Sequence, residues 1–142
     1  MASAPATTPA LMAASWRWQG CDIRYTVGGQ GPPVVLVHGF GASSEHWRKN
    51  QPVLARAGYR TYAIDLLGFG GSAKPKRAYS IELWQQLLVD FWQAQIGEPA
   101  IWVGNSIGGL IALSVMTHQP HVVAGGACRS TVLVGSATAP KS

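Results

Sequence analysis

Residues 100–109 read AIWVGNSIGG, an apolar run followed by a serine between two glycines. The apolar run at 100–103 predicts a strand, and Ser106 stands just after it between Gly104 and Gly108. A strand-to-helix turn this tight strains the backbone of the serine and needs small residues on both sides. Ser106 is therefore a candidate nucleophile. The alternative is a serine that only caps a buried helix.

Apolar periodicity predicts alternating strands and helices around this turn. Strands are expected at residues 16–20 and 22–27 as an antiparallel pair, at 34–37 with both faces buried, at 59–65 and at 100–103. Helices are expected over residues 43–57 with Pro52 as an irregular start or kink, from Ser80 to about Ile96, and from Ser106 to about Gln119. This order predicts an α/β fold with a mostly parallel sheet and flanking helices.

A second motif, His38-Gly39-Phe40-Gly41, directly follows the strand expected at 34–37. Acyl transfer needs preorganised N–H donors for the oxyanion that develops on the substrate. The glycine-rich turn can aim the backbone N–H of Phe40, and Ile107 can supply the other donor. His38 is then expected to be a structural hydrogen-bonding residue rather than the catalytic base.

A third motif, DLLGFGGS at residues 65–72, contains the glycine spacing of a dinucleotide-binding fingerprint. Such a fingerprint needs a helix directly after it, and the following Lys74-Pro75-Lys76 forbids one. The two cysteines, Cys21 and Cys128, show no metal-ligand spacing. We therefore expect neither a cofactor nor a metal ion.

Composition excludes further classes of partner. Eleven Lys and Arg face six Asp and Glu, but the basic residues are scattered except at 74–77, so no nucleic-acid partner is expected. Residues 99–128 contain no charged side chain, yet glycines and polar residues inside this stretch argue against a membrane span. Two unpaired cysteines fit a reducing compartment, which indicates the cytoplasm, with a plastid as the alternative.

The three motifs in this order resemble the α/β-hydrolase family, and HGFGASSEHW, AIDLLGFGGS and GEPAIWVGNSIGG are similar to its pheophytinase-like branch of cyanobacteria and plastids. The resemblance implies a serine hydrolase for a small ester or other acyl substrate. A serine at the nucleophile position points away from the dehalogenase and epoxide-hydrolase branches, which place an aspartate there. The residues implied for the site are Ser106 as nucleophile, Phe40 and Ile107 as oxyanion donors, and His38, Gly39, Gly104 and Gly108 as its structural surroundings.

The family places its acid and its histidine far downstream of the serine, and no Asp or Glu follows Glu98 here. His118 lies about 18 Å along the expected helix, whereas a general base must come within roughly 3 Å. We therefore expect residues 16–127 to be the N-terminal half of a hydrolase domain, between a flexible tail at 1–15 and a divergent tail at 128–142.

Such a half, from a frameshifted or truncated hydrolase, is expected to be weakly active or inactive. Its uncovered apolar surface predicts self-association. The alternative function is a non-catalytic binding or assembly module that retains the turn around Ser106.

Overall fold

The structure is a computed structural model that describes residues 10–124 and the backbone of residues 131–134. Its strands are β1 (Met12–Trp18), β2 (Cys21–Gly28), β3 (Pro33–Val37), β4 (Arg60–Ile64), β5 (Ile101–Asn105) and β6 (Thr131–Val134). Its α-helices are α1 (Asn50–Arg56), α2 (Ile81–Gln95) and α3 (Ile107–His118), with short 3-10 helices at Ser44–Trp47 and Pro120–Val122.

The strands form one mixed sheet in the order β1-β2-β4-β3-β5-β6. Strands β4, β3, β5 and β6 run parallel, and β2 and β1 add an antiparallel edge. All five residues of β3 are buried, as expected for a strand covered on both faces. The prediction of an α/β fold with a mostly parallel sheet is confirmed.

Successive side chains of a strand point to opposite faces of the sheet, and two apolar clusters form, one on each face. Helices α2 and α3 cover the larger cluster, in which Phe91 and Trp102 are fully buried. The smaller cluster includes Leu36 and Trp47 and packs beneath α1 and the preceding 3-10 helix. The sheet thereby presents the carboxyl ends of β3, β4 and β5 together at one edge, where the three motifs lie.

The region expected as one helix over residues 43–57 is divided. Ser43 caps the 3-10 helix by accepting a hydrogen bond from Glu45 N, and α1 starts separately at Asn50. Pro52 lies in the first turn of α1, where its missing N–H costs no helical hydrogen bond. The expected Ser80 cap of α2 is present, since Ser80 Oγ accepts from Leu83 N at 3.1 Å.

The expected boundary of the N-terminal tail is wrong for residues 12–15. These residues belong to β1, which pairs with β2 from Met12 opposite Val27 to Trp18 opposite Cys21. Alanines and a serine give this segment almost no apolar alternation, so the backbone ladder and not the side-chain pattern makes it a strand. Residues 1–9 lie outside the described residues.

The expected C-terminal tail also contains a strand. The backbone of residues 131–134 forms β6, parallel to β5, with Val103 opposite Val132. The pairing supplies β5 with a neighbour on each side, as an interior parallel strand requires. The other residues of the expected tail lie outside the described residues.

Candidate active site

Ser106 occupies the turn between β5 and α3 with an unusual backbone. Its φ of 58° and ψ of −124° lie in a region that favours glycine, and its side chain is exposed. A Cβ at Gly104 would lie 2.5 Å from Gly109 Cα, and one at Gly108 would overlap the carbonyl oxygens of Val37 and His38. The two glycines therefore let α3 pack closely against β5 and β3, and Ser106 is exposed at the turn between them.

The turn after β3 lies against Ser106. A Cβ at Gly39 would stand 3.4 Å from Ser106 Cβ and 3.2 Å from Asn105 O, so the backbone of Gly39 lies directly against the serine turn. Among the described residues, neither the N–H of Phe40 nor that of Ile107 has a hydrogen-bond acceptor. Two backbone donors thus stand on the two segments that meet at the serine.

His38 is fully buried and engaged through both ring nitrogens. Leu66 N–H donates to Nε2 at 3.0 Å, so Nε2 carries no proton, and Nδ1–H donates to Gly39 O at 2.7 Å. The pKa of His38 is lowered, first because burial disfavours the charged ring. A neutral imidazole therefore ties the turn after β3 to the loop after β4, and its Nε2 lone pair is occupied.

Asp65 joins the same loops from the end of β4. Its buried carboxylate accepts from Ser44 N at 2.6 Å and from Gly71 N at 2.8 Å. Ser72 Oγ donates to Asp65 O and accepts from Arg24 N. The third motif is therefore a folded loop that fixes the turn carrying Phe40. This role of Asp65 is not evident from the amino-acid sequence.

No base meets Ser106 within residues 10–124. The Ser106 hydroxyl has no hydrogen-bond partner there, and His118 is at the far end of α3 with Nδ1 2.9 Å from Ser114 O. His46 packs against Trp47, and His121 packs against Trp92. Within residues 10–124, Ser106 thus lies against the turn after β3 and its hydroxyl has no hydrogen-bonded proton acceptor.

Within the described part of the chain, neither a metal-binding cluster nor a membrane-spanning helix is found. No group of three His, Cys, Asp or Glu side chains in this part of the chain could hold a metal ion. None of the helices between residues 10 and 124 combines the length and the apolar character needed to cross a bilayer.

An aromatic pocket lies beside the site and was missed by the sequence analysis. Phe40, Gly68, Phe69, Tyr79 and Trp84 line a volume of about 240 Å³. The available signal was an aromatic residue in each of the second and third motifs.

Comparison with known proteins identifies the class. A family model described as alpha/beta hydrolase fold matches residues 32–141, and the chain belongs to this family. The match continues past Ala127, so the family likeness does not end at the boundary expected there.

Two of the relatives are longer hydrolases. The chain is 42% identical over 123 residues to 2-hydroxy-6-oxo-6-(2'-aminophenyl)hexa-2,4-dienoic acid hydrolase of Metapseudomonas resinovorans, covering 83% of this chain and 40% of that protein. It is 38% identical over 115 residues to pimeloyl-[acyl-carrier protein] methyl ester esterase of Vibrio atlanticus, covering 81% and 40%.

Solved structures give the same result. A membrane phospholipase A, described as a bacterial virulence factor, matches with a TM-score of 0.80 and 29% identity over 89% of this chain and 40% of that one. An epoxide hydrolase from an endophytic Streptomyces matches with a TM-score of 0.75 and 36% identity over 80% and 35%. The chain spans about two fifths of the length of these relatives.

Proposed function

We propose that this chain carries the nucleophile and the oxyanion-binding part of a serine hydrolase that cleaves esters or other acyl compounds. The single observation that supports it best is the backbone of Ser106, which is strained, exposed and fixed by close packing against β3. Backbone strain of this kind costs about 1–3 kcal/mol and persists where function requires it. A residue that only capped α3 would not need it, and Ser106 makes no side-chain cap bond.

The proposed reaction proceeds through an acyl-serine. Ser106 Oγ adds to the carbonyl carbon of the substrate and loses its proton to a base. The N–H groups of Phe40 and Ile107 stabilise the negative charge on the carbonyl oxygen. When this tetrahedral intermediate collapses, the alcohol leaves and takes up the proton. Water then hydrolyses the acyl-serine to the acid and free Ser106. His38 is not the base of this proposal, because its Nε2 already accepts from Leu66 N–H.

Serine chemistry favours an acyl substrate over an epoxide, although epoxide hydrolases are among the relatives. Attack of a carboxylate on an epoxide gives an ester, which water can cleave. Attack of Ser106 on an epoxide would give an ether, which would leave the site blocked. The esterase among the relatives fits the acyl reading.

Three more specific properties of the chain remain predictions. They are the pheophytinase-like branch, weak or absent turnover of the 142-residue chain, and self-association through exposed apolar side chains such as Val53 and Leu110.

The test is covalent labelling of the 142-residue chain with an alkyl fluorophosphonate, followed by intact-protein mass spectrometry. The reaction is run with and without 2-methylimidazole, an external base that can reach the exposed Ser106. We expect one adduct on Ser106, formed faster with the base. Ser106→Ala should abolish it.

The matched control is Ser114→Ala, on the same helix, where the hydroxyl donates to Gln85 Oε1. This variant should label like the parent chain. If Ser106 stays unlabelled even with the base present, the hydrolase proposal fails and a non-catalytic binding module is favoured.

A further inference from the structure

The aromatic pocket adjoins the candidate site through one residue. Phe40 lines the pocket and also carries a backbone N–H that has no acceptor within residues 10–124, while Gly39 before it lies against Ser106. A volume of about 240 Å³ is smaller than the roughly 300–1,000 Å³ of a site for a whole ligand. The pocket therefore fits one group of a substrate whose reacting bond lies at Ser106.

Ring contacts hold the lining in place. Phe40 meets Phe69 edge to face, with centroids 5.2 Å apart and planes at 74°. Tyr79 stacks on Trp84 with centroids 5.9 Å apart and planes at 20°. Although 73% of Phe40 is exposed, its ring packs against Phe69. Phe69 is itself held by contact with the buried Trp84.

The polar atoms of the lining are bonded elsewhere. Trp84 Nε1–H donates to Leu67 O at 3.0 Å, and Tyr79 O–H donates to Pro75 O at 2.5 Å. Both groups are thus bonded to main-chain oxygens and need no partner from a ligand. What the pocket offers a ligand is the faces and edges of rings.

Gly68 makes room for this arrangement. Its φ is 95°, and a Cβ there would lie 2.9 Å from Tyr79 Cε1. The Tyr79 ring can therefore sit over the backbone of the loop after β4. A larger residue at 68 would push the ring away from Trp84.

We propose that this pocket binds an aromatic ring of the substrate and gives the site a preference for aryl or arylalkyl acyl compounds. The inference rests on the proposed function for the identity of the reaction, but binding of the ring does not require Ser106. Edge-to-face and stacked contacts with the four rings favour an aromatic group over a saturated group of similar size.

Ligand-observed NMR tests the binding. The 142-residue chain is titrated into 4-fluorobenzyl alcohol, whose fluorine signal is followed, and benzyl alcohol and cyclohexylmethanol then compete for the site. We expect benzyl alcohol to displace the probe at a concentration about two- to ten-fold lower than cyclohexylmethanol requires. This ratio corresponds to the free energy of one aromatic pair contact. Equal displacement by the two alcohols would overturn the aromatic preference.

Variants locate the binding. Tyr79→Leu should weaken probe binding about two- to ten-fold, whereas Tyr79→Phe, which keeps the ring and loses only the bond to Pro75, should bind like the parent. Phe40→Leu, at an exposed side chain, gives a second disruption that leaves the backbone N–H in place. Unchanged binding in both leucine variants, with circular dichroism like that of the parent, would contradict the proposal.

One further variant separates the two proposals. Ser106→Ala should bind the probe like the parent chain. Probe binding without any fluorophosphonate labelling would support the aromatic pocket and contradict the hydrolase. Labelling of Ser106 without aromatic preference in the competition would do the reverse.

Discussion

Replacing Ser106 by glycine should stabilise the fold, whereas replacing it by alanine should not. The backbone at this position has φ 58° and ψ −124°, and both serine and alanine hold a Cβ there against the main chain. The strain is about 1–3 kcal/mol, and glycine loses about 0.5–1 kcal/mol through its freer unfolded chain. The net expectation is that Ser106→Gly unfolds with a free energy about 0.5–2 kcal/mol above that of Ser106→Ala.

Urea unfolding followed by tryptophan fluorescence measures this difference. The matched pair is Ser114→Gly and Ser114→Ala in the regular part of α3, where glycine should be less stable than alanine by about 1 kcal/mol. The order of glycine and alanine should therefore reverse between positions 106 and 114. If alanine is equal to or better than glycine at both positions, the strain attributed to Ser106 is absent and the argument for its role is refuted.

Three further perturbations test the scaffold. Gly108→Ala forces a methyl group onto the carbonyl oxygen of Val37 and should destabilise the fold by about 1–3 kcal/mol in urea unfolding, while Leu110→Ala on the exposed side of α3 serves as the mild comparison. Because the pKa of His38 is lowered in the fold, its contribution to stability is complete above about pH 6.5 and falls as the pH drops below that value. His38→Gln should flatten the dependence of unfolding free energy on pH in this window, and an unchanged slope would contradict the buried neutral imidazole. Asp65→Asn replaces one of the two carboxylate oxygens that accept from Ser44 N–H and Gly71 N–H with an NH₂ group, which can only donate. The free energy of unfolding should fall by about 1–3 kcal/mol. Stability equal to the parent's would show that the carboxylate is not needed.

Most elements followed from local pattern. The five buried residues of β3, the Ser80 cap of α2 and the start of α3 after Ser106 lie where apolar runs and capping residues predict them. The start of β1 at Met12 and the strand at 131–134 were not predicted. The start of β1 extends the hairpin with β2 through backbone hydrogen bonds, although residues 12–15 show little apolar alternation. The strand at 131–134 forms by pairing with β5, which lies far back in the sequence.

Within the site, the spacing of Gly104, Ser106 and Gly108 indicated the turn, because only small residues permit so close a helix-to-strand contact. The positions of Phe40 and Ile107 after their strands indicated them as donors. That their N–H groups lack acceptors within residues 10–124 depends on how the loops fold.

The order of strands and helices and the position of the candidate nucleophile could be read from the amino-acid sequence, because both arise from residues within a few positions of one another. The neutral state of His38, whose Nε2 partner is 28 positions away, and the bonds of Asp65 across 21 positions depend on the folded chain. Folding also assembles the aromatic pocket from two loops and a helix. Burial and hydrogen bonding between distant segments set these properties, and neither exists before the chain has folded.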